Sequence, residues 1–298
     1  MHALHAYAQG DPSRLVHEEA PLPALSQGDV LVRVRASGVS PGELDWGKTW
    51  LNHDDTSRTP PIVPGHEVAG LVEAIGPGAT GALAVGDEVF GLIDSRRDGA
   101  DAEFVAVRAD ELVRKPATLT YAEAAAVPLS ALTAWQALFD QGDLQPGHHV
   151  LIHGGAGGVG SFAVQFARWR GARVTATSSA RDVDLVVGLG ADVVIDYRAQ
   201  RFEDLVADVD LVFDTVGGET WERSWDVLHP RGRLVSIAVP RPPDRDPGDG
   251  PQAIWFIVST NPDQLREIGG LIDGGHVRPI VAAVIPLAQG PSARLYLW

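Results

Sequence analysis

The chain has 298 residues, of which 45% are hydrophobic and 21% charged, a composition typical of a globular protein with one large domain or two ordinary ones. Its formal net charge of −15 argues against binding to a nucleic-acid backbone, because such binding needs clustered cations. It contains no cysteine, which excludes disulfides, thiolate nucleophiles and cysteine-based zinc sites.

Residues 1 to about 120 predict a compact, mainly β domain. Short β-rich runs, such as those at 29–39 and 67–76, are separated at short intervals by Gly, Pro and Asp. The N-terminus shows no secretory signal, and the chain has no run of about 18 apolar residues that could span a membrane. We therefore expect a cytoplasmic protein without a membrane partner.

From about residue 121 to 260 the pattern changes to an alternation of strands and helices, which predicts a parallel, doubly wound sheet. Six apolar strands are predicted, at Val150–His153, Arg173–Thr177, Val193–Asp196, Leu211–Asp214, Leu234–Ala238 and Trp255–Val258. Helices are predicted to begin at Ser161, Arg181, Gln200 and Glu219. The proline-rich stretch 239–251 is predicted to be a surface loop or a crossover.

A glycine-rich loop, GGAGGVG at 154–160, follows the first of these strands and opens a helix. In a βαβ unit such a loop binds the pyrophosphate of a dinucleotide. Gly154 permits the tight turn, Gly157 lets the backbone approach the pyrophosphate, and Gly160 allows close packing of helix on strand. The N-terminus of the helix adds unpaired N–H groups and a positive dipole end. A loop that binds no ligand is the alternative, which this strand–helix context disfavours.

The residues after the second strand favour NADPH over NADH. An NAD site usually places an acid there to bond the ribose 2′-hydroxyl, but the chain has Ser178, Ser179 and Arg181 before its first acid, Asp182. Two hydroxyls and a guanidinium suit a 2′-phosphate. The alternative is that Ser179 only caps the next helix and Arg181 is solvated.

Several motifs together resemble the medium-chain dehydrogenase/reductase superfamily, and most closely its zinc-free quinone oxidoreductase branch, the relatives of zeta-crystallin. They include PGHEVAGLVEAIGPGATGALAVGDEVFGL, AAAVPLSALTAWQAL, GGAGGVGSFAVQFA and LGADVVIDY, in the family's order and spacing from about residue 12 to about 286. The resemblance implies an α/β fold. A GroES-like, mainly β catalytic domain would take residues 1–121 and 269–298, a Rossmann domain with a doubly wound parallel sheet would take 122–268, and the active site would lie in the cleft between them.

The resemblance also implies the residues of the cofactor site. These are Thr133, Gly154, Gly157, Gly158, Val159, Gly160, Ser178, Arg181, Tyr197, Val216 and Gly217. Tyr197 could instead be an ordinary aromatic residue at the end of a strand.

The segment SPGELDWGKTW faces the cleft by the same analogy. Relatives often carry a tyrosine there, whereas this chain offers Glu43, Asp45, Trp46, Lys48 and Trp50, so that the proton donor is open and water could serve. Asp45 is the candidate for a polar catalytic anchor, with a turn residue as the alternative. Trp46 and Trp50 either form an apolar wall that binds a planar substrate or belong to the core.

Zinc-containing members of the superfamily bind their catalytic metal with a Cys near position 40, the His of GHE and a second Cys. This chain has Ser40 but keeps His66 and Glu67. His66, Glu67 and Asp45 could in principle hold a metal, but turn hydrogen bonds are the favoured interpretation, so no metal is expected.

Without a Lewis acid, hydride delivery to an already activated acceptor is expected, either a quinone or an α,β-unsaturated carbonyl. The predicted function is therefore an NADPH-dependent reductase of these small molecules. Two alternatives stay open, a zinc-type alcohol dehydrogenase and a non-catalytic NADPH-binding protein or redox sensor.

Two further expectations concern assembly and the C-terminus. Family members commonly pair through their Rossmann sheets, and the apolar run 254–258 falls at the predicted sheet edge, so a homodimer is expected. The final stretch PSARLYLW lacks the helix and closing turn of the family, and Pro291 disfavours a helix through it. The catalytic barrel is then expected to lack its last strand, with Leu295, Leu297 and Trp298 either partly covering the gap or mobile.

Overall fold

The chain forms two compact units, the first made of Met1–Leu129, Thr260–Asp273 and Pro279–Trp298, and the second of Ser130–Ser259 and Gly274–Arg278. The computed structural model describes residues 1–40, 42–81, 83–238, 241, 248 and 250–295. Residues 293–295 are described by their backbone alone. The domain limits expected from the sequence, 1–121 with 269–298 and 122–268, remain a prediction.

Thirteen strands and seven α-helices are found in the described residues. The strands are β1 (His2–Ala6), β2 (Leu15–Glu19), β3 (Asp29–Ser37), β4 (Glu67–Ile75), β5 (Glu88–Leu92), β6 (Phe104–Arg108), β7 (Leu112–Arg114), β8 (His149–Ile152), β9 (Arg173–Ser178), β10 (Val193–Asp196), β11 (Val209–Asp214), β12 (Leu228–Ser236) and β13 (Gln252–Trp255). The helices are α1 (Tyr121–Ala125), α2 (Pro128–Trp135), α3 (Gly158–Arg170), α4 (Val183–Gly188), α5 (Glu219–Ser224), α6 (Pro262–Asp273) and α7 (Gly290–Leu295).

The first unit is built on a five-stranded antiparallel sheet in the order β6-β3-β4-β5-β7, accompanied by the β1–β2 hairpin. Its core is rich in valine, with Val30, Val32, Val68 and Val89 all fully buried. Branched side chains of this kind pack well on a pleated surface, which explains why the runs predicted to be β-rich form this sheet.

The second unit is a six-stranded parallel sheet in the order β10-β9-β8-β11-β12-β13. The strand order reverses between β8 and β11, and in open α/β sheets ligands bind outside the carboxyl ends of the strands at this switch point. The expected fold class, a doubly wound parallel sheet with a separate mainly β part, is confirmed. None of the helices in the described part of the chain has the length and hydropathy that crossing a bilayer requires.

Two predicted elements of the second unit are wrong. The last strand is Gln252–Trp255 instead of Trp255–Val258, because Trp255 pairs with Ser236, the final residue of β12, and the ladder ends there. The helix predicted from Gln200 is a single 3₁₀ turn, in which the Phe202 side chain is buried just before β11 begins. Most of the proline-rich stretch 239–251 lies outside the described residues.

The expectation that the C-terminal stretch would form no helix is also wrong. A 3₁₀ turn leads into α7, in which Pro291 is the second residue. A proline in the first turn removes no intrahelical hydrogen bond, and its fixed φ suits a helix. Gly290 lies against Leu4 of β1, so that α7 starts on the hairpin. The Leu295 side chain, Leu297 and Trp298 lie outside the described residues.

Substitution by alanine is expected to have different effects on stability at Gly160 and at Gly188. A Cβ at Gly160 would lie 2.1 Å from the Gly154 carbonyl oxygen, whereas a Cβ at Gly188 of α4 would meet nothing within 4 Å. We expect Gly160→Ala to lower the thermal unfolding midpoint clearly, and Gly188→Ala to leave it unchanged or raise stability by about 0.4–1 kcal/mol. Equal midpoints in a calorimetric comparison of the two variants would contradict this packing.

Candidate functional site

The glycine-rich loop makes a sharp turn in which two of its glycines are closely packed. Gly154 has φ +75°, a left-handed conformation, and a Cβ there would lie 2.5 Å from the Thr215 hydroxyl oxygen. Gly160 lies directly against the Gly154 carbonyl, and the Gly157 N–H donates to that same carbonyl at 2.9 Å. Glycine at 154 and 160 is therefore explained by packing within the protein.

The two glycines at the tip of the loop are explained less by the fold. Gly157 and Gly158 are exposed, and a Cβ at either would approach one atom, the Gly154 carbonyl oxygen at 3.3 Å or the Ser130 hydroxyl oxygen at 3.1 Å. Gly157 caps α3 without a side chain, and the first N–H groups of a helix have no intrahelical acceptor. The N-terminus of α3 is thus an open surface of N–H donors, suited to an anion.

Helix α2 lies beside this loop. Ser130, which the sequence analysis did not select, approaches Gly158, and the predicted cofactor residue Thr133 is buried one turn later on the same face of the helix. A serine three residues before Thr133, on the same face, was the available sequence signal.

The end of β9 carries the predicted 2′-phosphate residues. Ser178 is buried and its carbonyl accepts the Tyr197 N–H at 3.2 Å, which brings these two predicted residues together. Tyr197 is 55% exposed. The Arg181 side chain is 87% exposed, and its guanidinium contacts the Asp182 carboxylate at 3.3 Å. The Ser179 hydroxyl also donates a hydrogen bond to the Asp182 carboxylate.

Val216 and Gly217 form the turn after β11, and their conformation is fixed by a residue that the sequence analysis missed. The fully buried Asp214 accepts the N–H groups of Val216 at 3.0 Å and Gly217 at 2.9 Å, and also bonds the Ser236 hydroxyl at 3.0 Å. These two N–H groups are engaged, and the Gly217 carbonyl accepts the Thr220 N–H at 3.2 Å, so the half-exposed Val216 side chain is the part of the turn most open to a ligand.

The predicted cofactor residues therefore all belong to the second unit, on α2, on the glycine-rich loop or after the ends of β9, β10 and β11. Their contact with a dinucleotide stays a prediction.

The predicted catalytic segment lies in the first unit and separates into exposed and buried residues. Asp45 is exposed beside Gly10 and is not among the contacts of His66. Trp46 is half-buried, with its ring 6.4 Å from that of His66. Trp50 is buried in an apolar cluster and its indole N–H donates to the Leu44 carbonyl at 2.8 Å, which favours the core alternative.

Glu43 and His66 form a buried pair. One carboxylate oxygen of Glu43 accepts the N–H groups of Gly65 at 2.8 Å and His66 at 3.1 Å, and it lies 2.5 Å from His66 Nδ1. The other ring nitrogen, Nε2, faces the Arg97 carbonyl oxygen at 3.2 Å. The segment that contains Glu43 was a candidate from the sequence. The pairing of Glu43 with His66, 23 residues further on, has no local sequence signal.

This geometry constrains the protons of the pair. The Arg97 carbonyl is only an acceptor, so Nε2 carries a proton, and a second proton is shared between Nδ1 and the Glu43 carboxyl group at 2.5 Å. With that proton on Nδ1, the form that the pKa shift favours, His66 is an imidazolium beside a carboxylate. Burial lowers the pKa of His66, but the hydrogen bond and charge of Glu43 outweigh it, and the pKa is raised.

Glu67 is a second buried acid, and burial favours its neutral form. Burial raises its pKa to about 8, helped by the charge of Glu43, although the Leu129 N–H and the Ser40 hydroxyl both bond it. At neutral pH Glu67 is therefore mainly a neutral carboxylic acid.

The residues present do not fit a zinc ion. A histidine ligates zinc through an unprotonated ring nitrogen, whereas Nε2 of His66 is protonated against the Arg97 carbonyl and Nδ1 is hydrogen-bonded to the Glu43 carboxyl group. Ser40 hydrogen-bonds to Glu67, and within the residues that the structure describes no three His, Asp or Glu side chains are grouped to hold a metal.

Comparison with known proteins identifies the family. The model of the alcohol dehydrogenase GroES-like domain matches residues 26–117, and that of the zinc-binding dehydrogenase family matches residues 189–297. The 2-methylene-furan-3-one reductase of Solanum lycopersicum is 34% identical over 87% of this chain and 66% of its own length, so the chain spans just under two thirds of it. The chloroplastic NADPH-dependent alkenal/one oxidoreductase of Arabidopsis thaliana is 32% identical over 93% of this chain and 70% of its own.

Solved structures agree. Two mycobacterial structures, one of a quinone oxidoreductase and one of a protein complexed with NADPH, are each 32% identical, with a TM-score of 0.84 over 100% of this chain and 96% of theirs. The chain belongs to the medium-chain dehydrogenase/reductase superfamily, and its relatives include quinone oxidoreductases and enone reductases. The resemblance stated from the sequence is confirmed.

The exposed position of Gly157 at the tip of the glycine-rich loop leads to a prediction about NADPH binding. Gly157→Val places a branched side chain over the N-terminus of α3, at an exposed position where a Cβ would closely approach one atom, the Gly154 carbonyl oxygen at 3.3 Å. We expect calorimetric titration to show no NADPH binding, with circular dichroism and the unfolding midpoint close to those of the wild type. Gly188→Ala serves as the control, and near-native affinity of the Gly157 variant would mean that the loop is not the binding site.

The raised pKa of Glu67 predicts how stability depends on pH. The folded chain holds a proton that the unfolded carboxyl loses above about 4.5, so this contribution is complete at low pH and is lost as pH rises through about 8. The raised pKa of His66 acts in the same direction. Glu67→Gln should therefore reduce the fall in unfolding midpoint between those values, while Glu19→Gln, an exposed control, should not. An unchanged pH profile in the first variant would show that Glu67 is ionised in the folded chain.

Proposed function

We propose that this chain is an NADPH-dependent reductase that delivers hydride to a quinone or an α,β-unsaturated carbonyl without zinc. The observation that carries the proposal is the open N–H surface at the tip of the glycine-rich loop, next to a strand end that has Ser178, Ser179 and Arg181 and no acid before Asp182. The names of the relatives support it, since they include an NADPH-dependent alkenal/one oxidoreductase and a quinone oxidoreductase.

In this proposal the second unit holds the cofactor. The exposed N–H groups at the start of α3 bind the pyrophosphate, and Arg181 with Tyr197 binds the 2′-phosphate. The turn at Val216 and Gly217, fixed by Asp214, supports the nicotinamide side. When bound, the cofactor supplies the hydride, and the protein contributes binding and orientation.

The first unit would serve the acceptor. His66 is engaged at both ring nitrogens, so polarisation of an unactivated carbonyl by a metal held there has no support, and an acceptor with its own conjugation is favoured. Trp46 is the better placed of the two tryptophans to face a planar molecule, because Trp50 is enclosed in the core. Asp45, exposed to solvent, would act as a polar anchor, with water as the proton source.

A homodimer belongs to the same proposal. Strand β13 pairs only with β12, so it forms one edge of the parallel sheet in the described residues. The residues that follow remain apolar, and Ile257 is 58% exposed. An unpaired strand edge with exposed apolar side chains favours pairing with a second copy.

Turnover by the purified full chain tests the function. We expect loss of NADPH absorbance with quinones and 2-alkenals, faster than with NADH, and no loss of rate after dialysis against a chelator. Oxidation of simple alcohols that stops on chelation and returns with zinc would support a zinc-type alcohol dehydrogenase instead. Tight NADPH binding without turnover on either substrate class would indicate a non-catalytic binding protein.

A further inference from the structure

The chain carries a further charged group directly after β10, next to Tyr197. Arg198 is exposed, its guanidinium lies over the Tyr197 ring at 5.5 Å from the centroid, and its backbone N–H donates to the Asp196 carboxylate at 3.1 Å. The Tyr197 N–H is bonded in turn to the Ser178 carbonyl. Arg198 is therefore held against a residue of the predicted 2′-phosphate site.

Asp182 is an anion that contacts Ser179 and Arg181. Its carboxylate accepts the Ser179 hydroxyl at 2.7 Å and contacts the Arg181 guanidinium at 3.3 and 3.5 Å. The Ser179 hydrogen bond first, and then Arg181, lower the pKa of Asp182, and the charge of Arg198 acts in the same direction. The Ser179 hydroxyl and the Arg181 guanidinium, which would suit a 2′-phosphate, are thus already bound to a carboxylate of this chain.

We propose that Asp182 competes with the 2′-phosphate of NADPH for Arg181 and Ser179, that Arg198 is a second guanidinium for that phosphate, and that the chain therefore discriminates only weakly between NADPH and NADH. This inference rests on the proposed nucleotide site. A 2′-phosphate must take Arg181 away from Asp182 and bears the same sign of charge. A ribose 2′-hydroxyl instead donates to the Asp182 carboxylate, as in sites that bind NADH. Arg198 offsets the repulsion of the phosphate by Asp182.

Calorimetric titration of the full chain with NADP⁺ and with NAD⁺ tests the proposal. The variants are Asp182→Asn, which keeps the size of the side chain, and Arg198→Gln. Asp184→Asn is the matched control for the first, because Asp184 is exposed two residues further on in α4. Arg168→Gln is the control for the second, because it removes an exposed guanidinium from the last turn of α3, where Arg168 pairs with Asp192. Arg181→Gln reports on the site itself.

The expected changes follow from exposed, charge-assisted contacts. Asp182→Asn should strengthen NADP⁺ binding and weaken NAD⁺ binding, and Arg198→Gln should weaken NADP⁺ binding, by roughly fivefold at low salt with less effect at high salt. Each control should change either affinity by less than about twofold. Arg181→Gln should weaken NADP⁺ more than NAD⁺.

The outcomes separate the two proposals. If Arg181→Gln weakens NADP⁺ but Asp182→Asn and Arg198→Gln match their controls, the competition is overturned while the nucleotide site stands. A wild-type chain that binds NADP⁺ more than about a thousandfold tighter than NAD⁺ would also overturn it, since a strongly selective site leaves no role for a competing acid. If the wild type binds neither nucleotide, the proposed function fails together with this inference.

Discussion

The contact between the Gly154 carbonyl and Gly160 determines where α3 starts, and the nucleotide site depends on that position. No side chain fits between the two residues, so the first turn of the helix lies directly on the loop that leaves β8. Two hydrogen bonds fix the start of the loop, since the Gly155 N–H donates to the Thr177 carbonyl of β9 at 2.8 Å and the hydroxyl of Thr215, which follows β11, donates to the carbonyl of His153, which precedes the loop, at 2.7 Å. The N-terminus of α3 is thereby fixed over the point where the strand order reverses, which is the place where an anion meets both the N–H donors and the ends of β9 and β11.

The first unit faces a different constraint, the burial of charge. Moving an imidazolium and a carboxylate out of water costs several kcal/mol per ion, which is recovered only when the remaining donors and acceptors are satisfied. Glu43 meets this condition, because one of its oxygens takes two backbone N–H groups together with His66 Nδ1, and the Arg97 carbonyl takes the other ring nitrogen. In a chain without cysteine, the histidine of the GHE motif is thus stabilised by a carboxylate from its own unit. Glu67, whose pKa burial raises to about 8, is mainly neutral at pH 7 instead.

What could be predicted from the sequence was local, and what was missed depends on contacts across the chain. The parallel sheet, the glycine-rich loop and the start of α5 follow from periodicity and glycine positions, which act over a few residues. The end of β13 follows from the register with β12, and the helix after Gly290 from packing on Leu4, neither of which a window of sequence contains. The pairing of Glu43 with His66 is non-local for the same reason. Asp182 was visible as the first acid after β9, but only the structure shows it bonded to Ser179 and Arg181.

The net charge of −15 makes these local arrangements decisive for an anionic ligand. At physiological ionic strength charges more than about 8 Å away are largely screened, so the overall field neither supplies nor prevents binding of a dinucleotide. The N–H groups at the start of α3 attract phosphate without adding a charged side chain, and they are the same for NADPH and NADH. In the proposed site, preference between the two cofactors is left to the few side chains after β9 and β10. There the Asp182 carboxylate contacts Arg181, and Arg198 stacks on Tyr197, so removing any one of these charges would change the affinities for both cofactors.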